Sequence, residues 1–324
     1  MRILLMIITK FLPLWIIVCA FLGYQFPMWF ADIKNVSAFC LGFILFVMGL
    51  TLSRETLKRV LLHPKNAIIG ACGKWIVTTG ISFLLANLFF AHQIELKTGI
   101  ILAGSVPSGT SANLYTMMAG GSVALSILMS TIDTFIGPFF TPLIMKLTAA
   151  NNVHDAITPL ILKMVYVVLI PITAGLLIQW KFEEKITAVR SMIPILSSIA
   201  LLIVDVSVVS NAHTMLAQNI RILPMLFICV VIQIILPMIL GYVYSTIFKM
   251  DEPERRSIVY EFGICNTALA ALLAMESIGP IAAVPAVTNM IMNTSLGALI
   301  AILWEKKWGI GLKKQGNVEM KRTS

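Results

Sequence analysis

Residues 104–113 read Gly-Ser-Val-Pro-Ser-Gly-Thr-Ser-Ala-Asn, in the middle of an apolar run that extends from about 98 to 119. Pro107 removes a backbone donor and Gly109 loosens the chain, so a helix entering this stretch has to break. Ser105, Ser108, Thr110, Ser111 and Asn113 then crowd a place that its flanks put at membrane depth. Irregular, polar backbone is tolerated there only where it faces protein or a water-filled cavity. A second stretch of the same kind, Glu261-Phe-Gly-Ile-Cys-Asn-Thr267, lies in a later apolar run. It again sets a glycine beside polar side chains, here with a carboxylate.

The surroundings decide what these breaks interrupt. The chain has 324 residues, 58% hydrophobic and only 12% charged. A soluble domain carries about 25% charged residues, so an ordinary soluble globule and a disordered chain are both excluded. Apolar runs fall at about 11–31, 36–52, 66–91, 98–119, 122–149, 158–180, 191–213, 222–247, 254–276 and 279–304. Runs near twenty residues fit helices that cross a bilayer, not barrel strands, which alternate over about ten. Ten such helices fill the chain and leave no room for a soluble domain. The two breaks fall in the fourth run of the first five and the fourth run of the second five. Interrupted helices at matching positions in two halves point to a secondary transporter built from inverted repeats. The expected organisation is one transmembrane transporter domain over 1–324, with a first repeat at about 11–149, a second at about 158–304 and a cytoplasmic tail at 305–324.

The net charge of +9 has a topological reading. With both termini in the cytoplasm, the inner segments hold eighteen Lys and Arg. The outer ones hold five: Lys34, Lys97, Lys146, Lys163 and Arg221. This asymmetry fixes the N-in, C-in orientation. No basic-aromatic groove suggests nucleic acid, so the expected partners are the lipid bilayer and a small substrate. The stretch 53–65 reads equally as a short interfacial helix or as a plain basic loop. The first run is expected to be an uncleaved helix, not a signal peptide. The five cysteines show no paired spacing and read as reduced thiols.

Four ionisable residues sit well inside runs: Lys74, Asp133, Asp205 and Glu261. Left alone at the bilayer centre each would cost at least ~2.5–3.5 kcal/mol, so each must face a cavity or a partner. Ser126, Ser130 and Asp133 share one helix face, and hard oxygens of this kind suit sodium or a proton, not a soft metal. Asp205 is expected to pair with Asn211 or nearby serines. Glu276 reads as interfacial. His63, His92, His154 and His213 lack ligand spacing. The ends of a broken helix expose N–H groups that suit an anion and C=O groups that suit a cation. Thr110 and Ser111 at one break and Asn266 and Thr267 at the other are therefore the substrate candidates. Asn293 on the tenth run is a further one.

The stretches ILAGSVPSGTSANLYTMMAGGSVALS and EFGICNTALAALLA, with GLTL at Gly49–Leu52, HPK at His63–Lys65 and PFFTPLI after Asp133, resemble the bile acid:sodium symporter family over nearly the whole chain. The likeness is to its bacterial ten-helix members, among them pantoate and ketopantoate transporters. It implies an all-α membrane protein of ten helices in two inverted five-helix repeats. Panel and core domains pack together, and two broken helices cross at the midplane. It implies no enzymatic activity and no cofactor beyond sodium as the coupling ion. The activity expected is sodium-coupled symport of a small organic anion such as pantoate by alternating access, with a bile acid or steroid-type anion as the alternative.

Carried over residue by residue, the family's first sodium site falls on Asn113, Ser126, Ser130 and Glu261. A further family serine falls on Ala112, and Asp133 is the candidate to replace it. The second site falls on Glu261 again, with backbone oxygens of Phe262 and Ile264. Two family glutamines there fall on Lys74 and Cys265. The expectation is that the Lys74 ammonium takes the place of the second ion, paired with Glu261 and also with Asp133. Either one sodium remains coupled, or Lys74 with Asp133 or Glu261 carries a proton. An intramembrane enzyme or a sensor is the rival class, but no GxGD follows Asp133 or Asp205 and no sensory domain is attached. An arsenite permease would need a thiol at the first break, where there is none. The expected location is a bacterial inner membrane, in keeping with the lack of a soluble domain or N-terminal extension.

Overall fold

Leu12–Gln25 (α1) begins with proline in its first turn, where the missing N–H costs nothing. A single turn, Pro27–Phe30 (α2), follows it. The computed structural model of the chain describes residues 11–30, 34–51, 65–148, 162, 164–183, 185–186, 192–218 and 220–320. Lys34–Thr51 (α3) and Lys65–Phe90 (α4) come next. The fourth apolar run is split into Ile94–Ala103 (α5) and Thr110–Met118 (α6), and Val123–Thr148 forms α7. A π-helical turn at Val165–Leu169 leads into Ile170–Lys181 (α8), whose Pro171 lacks the donor a regular turn would use. Ile193–Gln218 (α9) and Leu223–Ile247 (α10) follow. The ninth run is also split, into Glu252–Gly263 (α11) and Thr267–Ser277 (α12). Pro280–Met320 forms α13.

Among the described residues no strand forms, and four helices are long and apolar enough to cross a membrane: Lys65–Phe90, Val123–Thr148, Leu223–Ile247 and Pro280–Trp304. Shorter apolar helical stretches run over Leu14–Gln25, Phe39–Thr51, Val165–Lys181, Ile195–Asn211 and Thr267–Ser277. Large apolar side chains such as Ile76, Leu88, Leu147 and Ile247 are exposed, which in water would be costly and in lipid is not. This is the surface of a multi-pass, all-α membrane protein. Of the interfacial reading of 53–65, all but Lys65, which begins α4, lies outside the described residues, as do His63 and His154.

The helices pack in two groups. In one, α3 lies against α8 and α9, and α9 against α1. Gly49 and Gly175 make the first contact possible, because a Cβ on Gly49 would meet the Ile172 carbonyl and a Cβ on Gly175 the Phe46 carbonyl. In the other, α10 packs on α4, α11 and α13, α4 on α5 and α7, and α13 on α5, α6 and α12. The groups touch chiefly where α9 meets α13 and α12, and where α1 meets α13.

One end of the second group is tied by polar contacts. Asp251 and Glu254 form a reciprocal capping box at the start of α11. The Asn66 amide donates to both Glu254 oxygens, at 2.8 and 3.0 Å. Arg256 donates to the Ala119 carbonyl at 2.7 Å and the Ser257 hydroxyl to the Ser122 carbonyl at 2.8 Å. These fix the turn between α6 and α7 against α11, and so hold the two broken helices in register.

Candidate functional site

The two breaks meet. The Gly109 N–H donates to the Ile264 carbonyl at 2.9 Å and the Asn266 N–H to the Pro107 carbonyl at 2.8 Å. Ser108 and Cys265 thus face each other as an antiparallel bridge. A Cβ on Gly109 would come to 3.0 Å from the Cys265 carbonyl, so the close crossing calls for glycine there.

Breaking two helices at membrane depth frees main-chain carbonyls, and most of these find partners across the crossing. Thr79 donates to Gly104 O at 3.2 Å, Thr141 to Ser105 O at 2.5 Å and Lys74 to Val106 O at 2.7 Å. At the other break Thr78 donates to Phe262 O at 2.8 Å, and the Asn293 amide to Cys265 O at 3.3 Å. The backbone oxygens of Phe262 and Ile264, expected from the family likeness to hold an ion, therefore each already accept a hydrogen bond. Behind the crossing the Gln233 amide donates to Ser82 Oγ at 2.9 Å and Ile100 O at 2.8 Å. Its oxygen accepts from Asn289 at 3.0 Å.

Lys74 and Asp133 form a buried ion pair with Nζ to Oδ2 at 2.8 Å. The second Asp133 oxygen accepts from the Trp75 indole at 2.9 Å, and Oδ2 also accepts from the Ser108 hydroxyl at 2.8 Å and its N–H at 3.3 Å. Two expectations change here. The ammonium meets Asp133 and Val106, not Glu261, because the reach from α4 ends at the first break. Asp133 is engaged by these four donors and does not supply an oxygen beside Ser130 in place of the serine missing at Ala112.

Glu261 sits at the end of α11 with Asn113, Ser126 and Ser130. Ser126 Oγ lies 2.5 Å from Glu261 Oε1 and 2.7 Å from Asn113 Oδ1. Asn113 Nδ2 donates to Ser130 Oγ at 3.3 Å. Ser126 has one proton for two acceptors, and the other Glu261 oxygen is buried with no hydrogen-bond partner. Glu261 and Ser126 are fully buried, so this carboxylate has fewer donors than it can accept from, the condition a monovalent cation relieves. Asn113, Ser126, Ser130 and Glu261 could hold sodium.

On the other side of the crossing lies a cavity of about 370 Å³. Its polar wall is built from Thr110, Ser111, Asn113, Ser130, Asn266, Thr267 and Asn293, with Cys265 beside them. Its apolar wall comes from the first helix group, with Leu41, Ile44 and Met48 of α3 and Leu201 of α9. The α6 N-terminus has no side-chain cap, while the Asn266 side chain accepts from the Leu269 N–H at 3.1 Å and caps α12. Asn293 reaches from α13 to Thr267 Oγ1 at 3.2 Å.

Asp205 departs from expectation. Both its oxygens are buried without a partner, and Asn211 donates instead to the Ser207 carbonyl at 2.7 Å. Glu276 is exposed at the end of α12. His213 lies ring to ring with Tyr24 at 5.0 Å. All five cysteines are free. The sequence reading missed Trp75, Thr78 and Gln233. Gln233, alone among apolar residues in α10, was the one with a legible signal.

Residues 38–219 match the Sodium Bile acid symporter family. The chain is 32% identical over 295 residues to "Uncharacterized sodium-dependent transporter YocS" of Bacillus subtilis, covering 91% of this chain and 90% of that one. It is 29% identical over 309 residues to the probable chloroplastic sodium/metabolite cotransporter BASS2 of Oryza sativa subsp. japonica, covering 93% and 71%. It is 28% identical over 284 residues to the hepatic sodium/bile acid cotransporter of Homo sapiens, covering 83% and 79%.

Proposed function

The chain belongs to the Sodium Bile acid symporter family, whose named relatives are sodium-dependent transporters and cotransporters, and from that premise we propose that it couples sodium to the uptake of a small organic anion. Pantoate or ketopantoate is the substrate class we assign. The observation that carries this is the two-sided crossing of the broken helices. On one side Glu261 keeps a buried oxygen without a partner; on the other, two helix N-termini open into the cavity.

The chemistry follows from the residues. Helix N-termini and hydroxyls favour a carboxylate, so Thr110, Ser111, Asn266, Thr267 and Asn293 bind the substrate's charged end. The apolar wall of α3 and α9 takes its short hydrocarbon body. Sodium sits behind, at Asn113, Ser126, Ser130 and Glu261. Asn113 belongs to both sides: it lines the cavity and bonds to Ser130, so the ion orders the polar wall that meets the anion. Binding of each then favours binding of the other, as symport requires.

In this reading the chain forms ten transmembrane helices in two inverted repeats, about 11–149 and 158–304. The first helix group is the panel and the second the core. Both termini face the cytoplasm of a bacterial inner membrane, with 305–324 as the tail. The cavity reaches Leu12, Thr51 and Ile193, at the start of α1, the end of α3 and the start of α9. These are the cytoplasmic ends under that orientation, so this is an inward-facing conformation. Movement of α3 and α9 against the crossing would close it and open the other side.

The test is uptake of labelled pantoate into proteoliposomes, with sodium replaced by choline and the pH gradient varied separately. Uptake is expected to collapse without sodium. Uptake that ignores sodium and follows the pH gradient would move the coupling to protons, and sodium-dependent taurocholate uptake without pantoate uptake would replace the substrate.

A further inference from the structure

We propose that this chain binds one sodium ion per cycle, because the Lys74 ammonium is a built-in cation that occupies a second oxygen site at the crossing. The inference rests on the sodium-coupled reading above and adds its stoichiometry. Three ionisable side chains are fully buried at the crossing: Lys74, Asp133 and Glu261. Two of them cancel. The Lys74 ammonium holds Asp133 Oδ2 at 2.8 Å and the Val106 carbonyl at 2.7 Å. A carboxylate oxygen and a main-chain carbonyl, with the Ser108 hydroxyl beside them, are the hard oxygen ligands that an alkali ion takes. Lysine brings the same charge on a tether that cannot leave.

Glu261 is the remainder. Its Oε1 is met by Ser126 and its Oε2 by nothing, so the crossing as a whole is one positive charge short. Further oxygen that a second ion would need is in use. Phe262 O accepts from Thr78, Ile264 O from the Gly109 N–H and Glu261 O from Ser108 at 3.3 Å. One mobile cation completes the charge, and with a singly charged anion the loaded carrier gains no net charge. Among the described residues the other buried carboxylate with an oxygen lacking a hydrogen-bond partner, Asp205, lies on α9 in the opposite helix group.

The experiment counts radioactive sodium bound per purified chain in nanodiscs at saturation, with choline as the balancing cation. One ion per chain is expected, lost in Glu261→Gln. Lys74→Gln should raise the count from one to two, since it leaves the Asp133 carboxylate, the Val106 carbonyl and the Ser108 hydroxyl around a space without a cation. Two ions in the unmodified chain would overturn the inference and leave sodium coupling standing, and so would a second ion lost in Asp205→Asn. No bound sodium would overturn both. A folded Lys74→Gln that still binds one ion would also overturn it. If Lys74→Gln does not fold, Lys74→Gln with Asp133→Asn takes its place. One ion is then expected, and zero or two would overturn the proposal.

Discussion

Replacing Asp133 by leucine should be among the most damaging single changes in the protein, and the damage should shrink when Lys74 is replaced as well. The carboxylate accepts from Lys74, the Trp75 indole and two groups of Ser108, and neither member of the ion pair touches solvent. Breaking such a pair from one side leaves an uncompensated buried charge and costs ~3–5 kcal/mol. At about 1.4 kcal/mol per power of ten, that is roughly two to nearly four powers of ten in the unfolding constant. Lys74→Met should sit nearer the lower figure, because Trp75 and Ser108 still serve the remaining carboxylate. The double variant leaves only neutral groups without partners: Val106 O, the indole N–H and the Ser108 N–H. It should therefore be more stable than Asp133→Leu alone, with a coupling energy of about 3 kcal/mol, the upper end for residues in contact. Equilibrium unfolding of the purified protein in mixed detergent and SDS micelles, read by tryptophan fluorescence, measures all four corners of the cycle. Additivity within ~0.5 kcal/mol would refute the reasoning, since it is the result for sites that do not interact.

Gln233→Leu should cost about 2–3 kcal/mol in the same unfolding assay, because it strips partners from Ile100 O and Asn289 in a place without solvent. A loss under ~1 kcal/mol would mean that the α4, α5 and α13 contacts do not depend on this amide. Asp205→Asn removes an ionisable group whose two oxygens have no partner, so stability should be unchanged or higher. A loss above ~1.5 kcal/mol, the size of a broken hydrogen bond, would show that the carboxyl has a partner in the membrane-embedded protein.

The helical architecture was legible because lipid leaves few choices. Backbone polar groups must be satisfied within each segment, so an apolar run of the right length is a helix, and polar residues with Pro107 or Gly263 in its middle interrupt it. The breaks fall at 104–109 and 264–266, inside the stretches that the residues single out. Boundaries were less legible. The fourth run starts at Ile94, since Glu95 and Lys97 are carried on the first turn of α5 rather than in a loop. The candidate residues at the breaks do converge, because a helix break is at once a chemical and a geometric feature.

Charge pairing was not legible. Composition and spacing state that Lys74, Asp133, Asp205 and Glu261 are buried and costly; they do not state who meets whom. Glu261 lies at the end of α11 and Asp133 midway along α7, and only the packing of α4 against the first break brings Lys74 to Val106 and Asp133. The same packing gives Glu261 to Ser126, and nothing in the local sequence separates Asp205, which has no partner, from Asp133, which has four donors. Hydrophobic length and helix-breaking residues are properties of single segments, so the sequence by itself determined the helices, their interruptions and the family. A salt bridge joins segments 59 residues apart along the chain, and its partner is chosen by differences of a few ångströms between packed helices. The tertiary structure alone decided that one carboxylate at the crossing is paired with Lys74 and that the other keeps a buried oxygen without a hydrogen-bond partner.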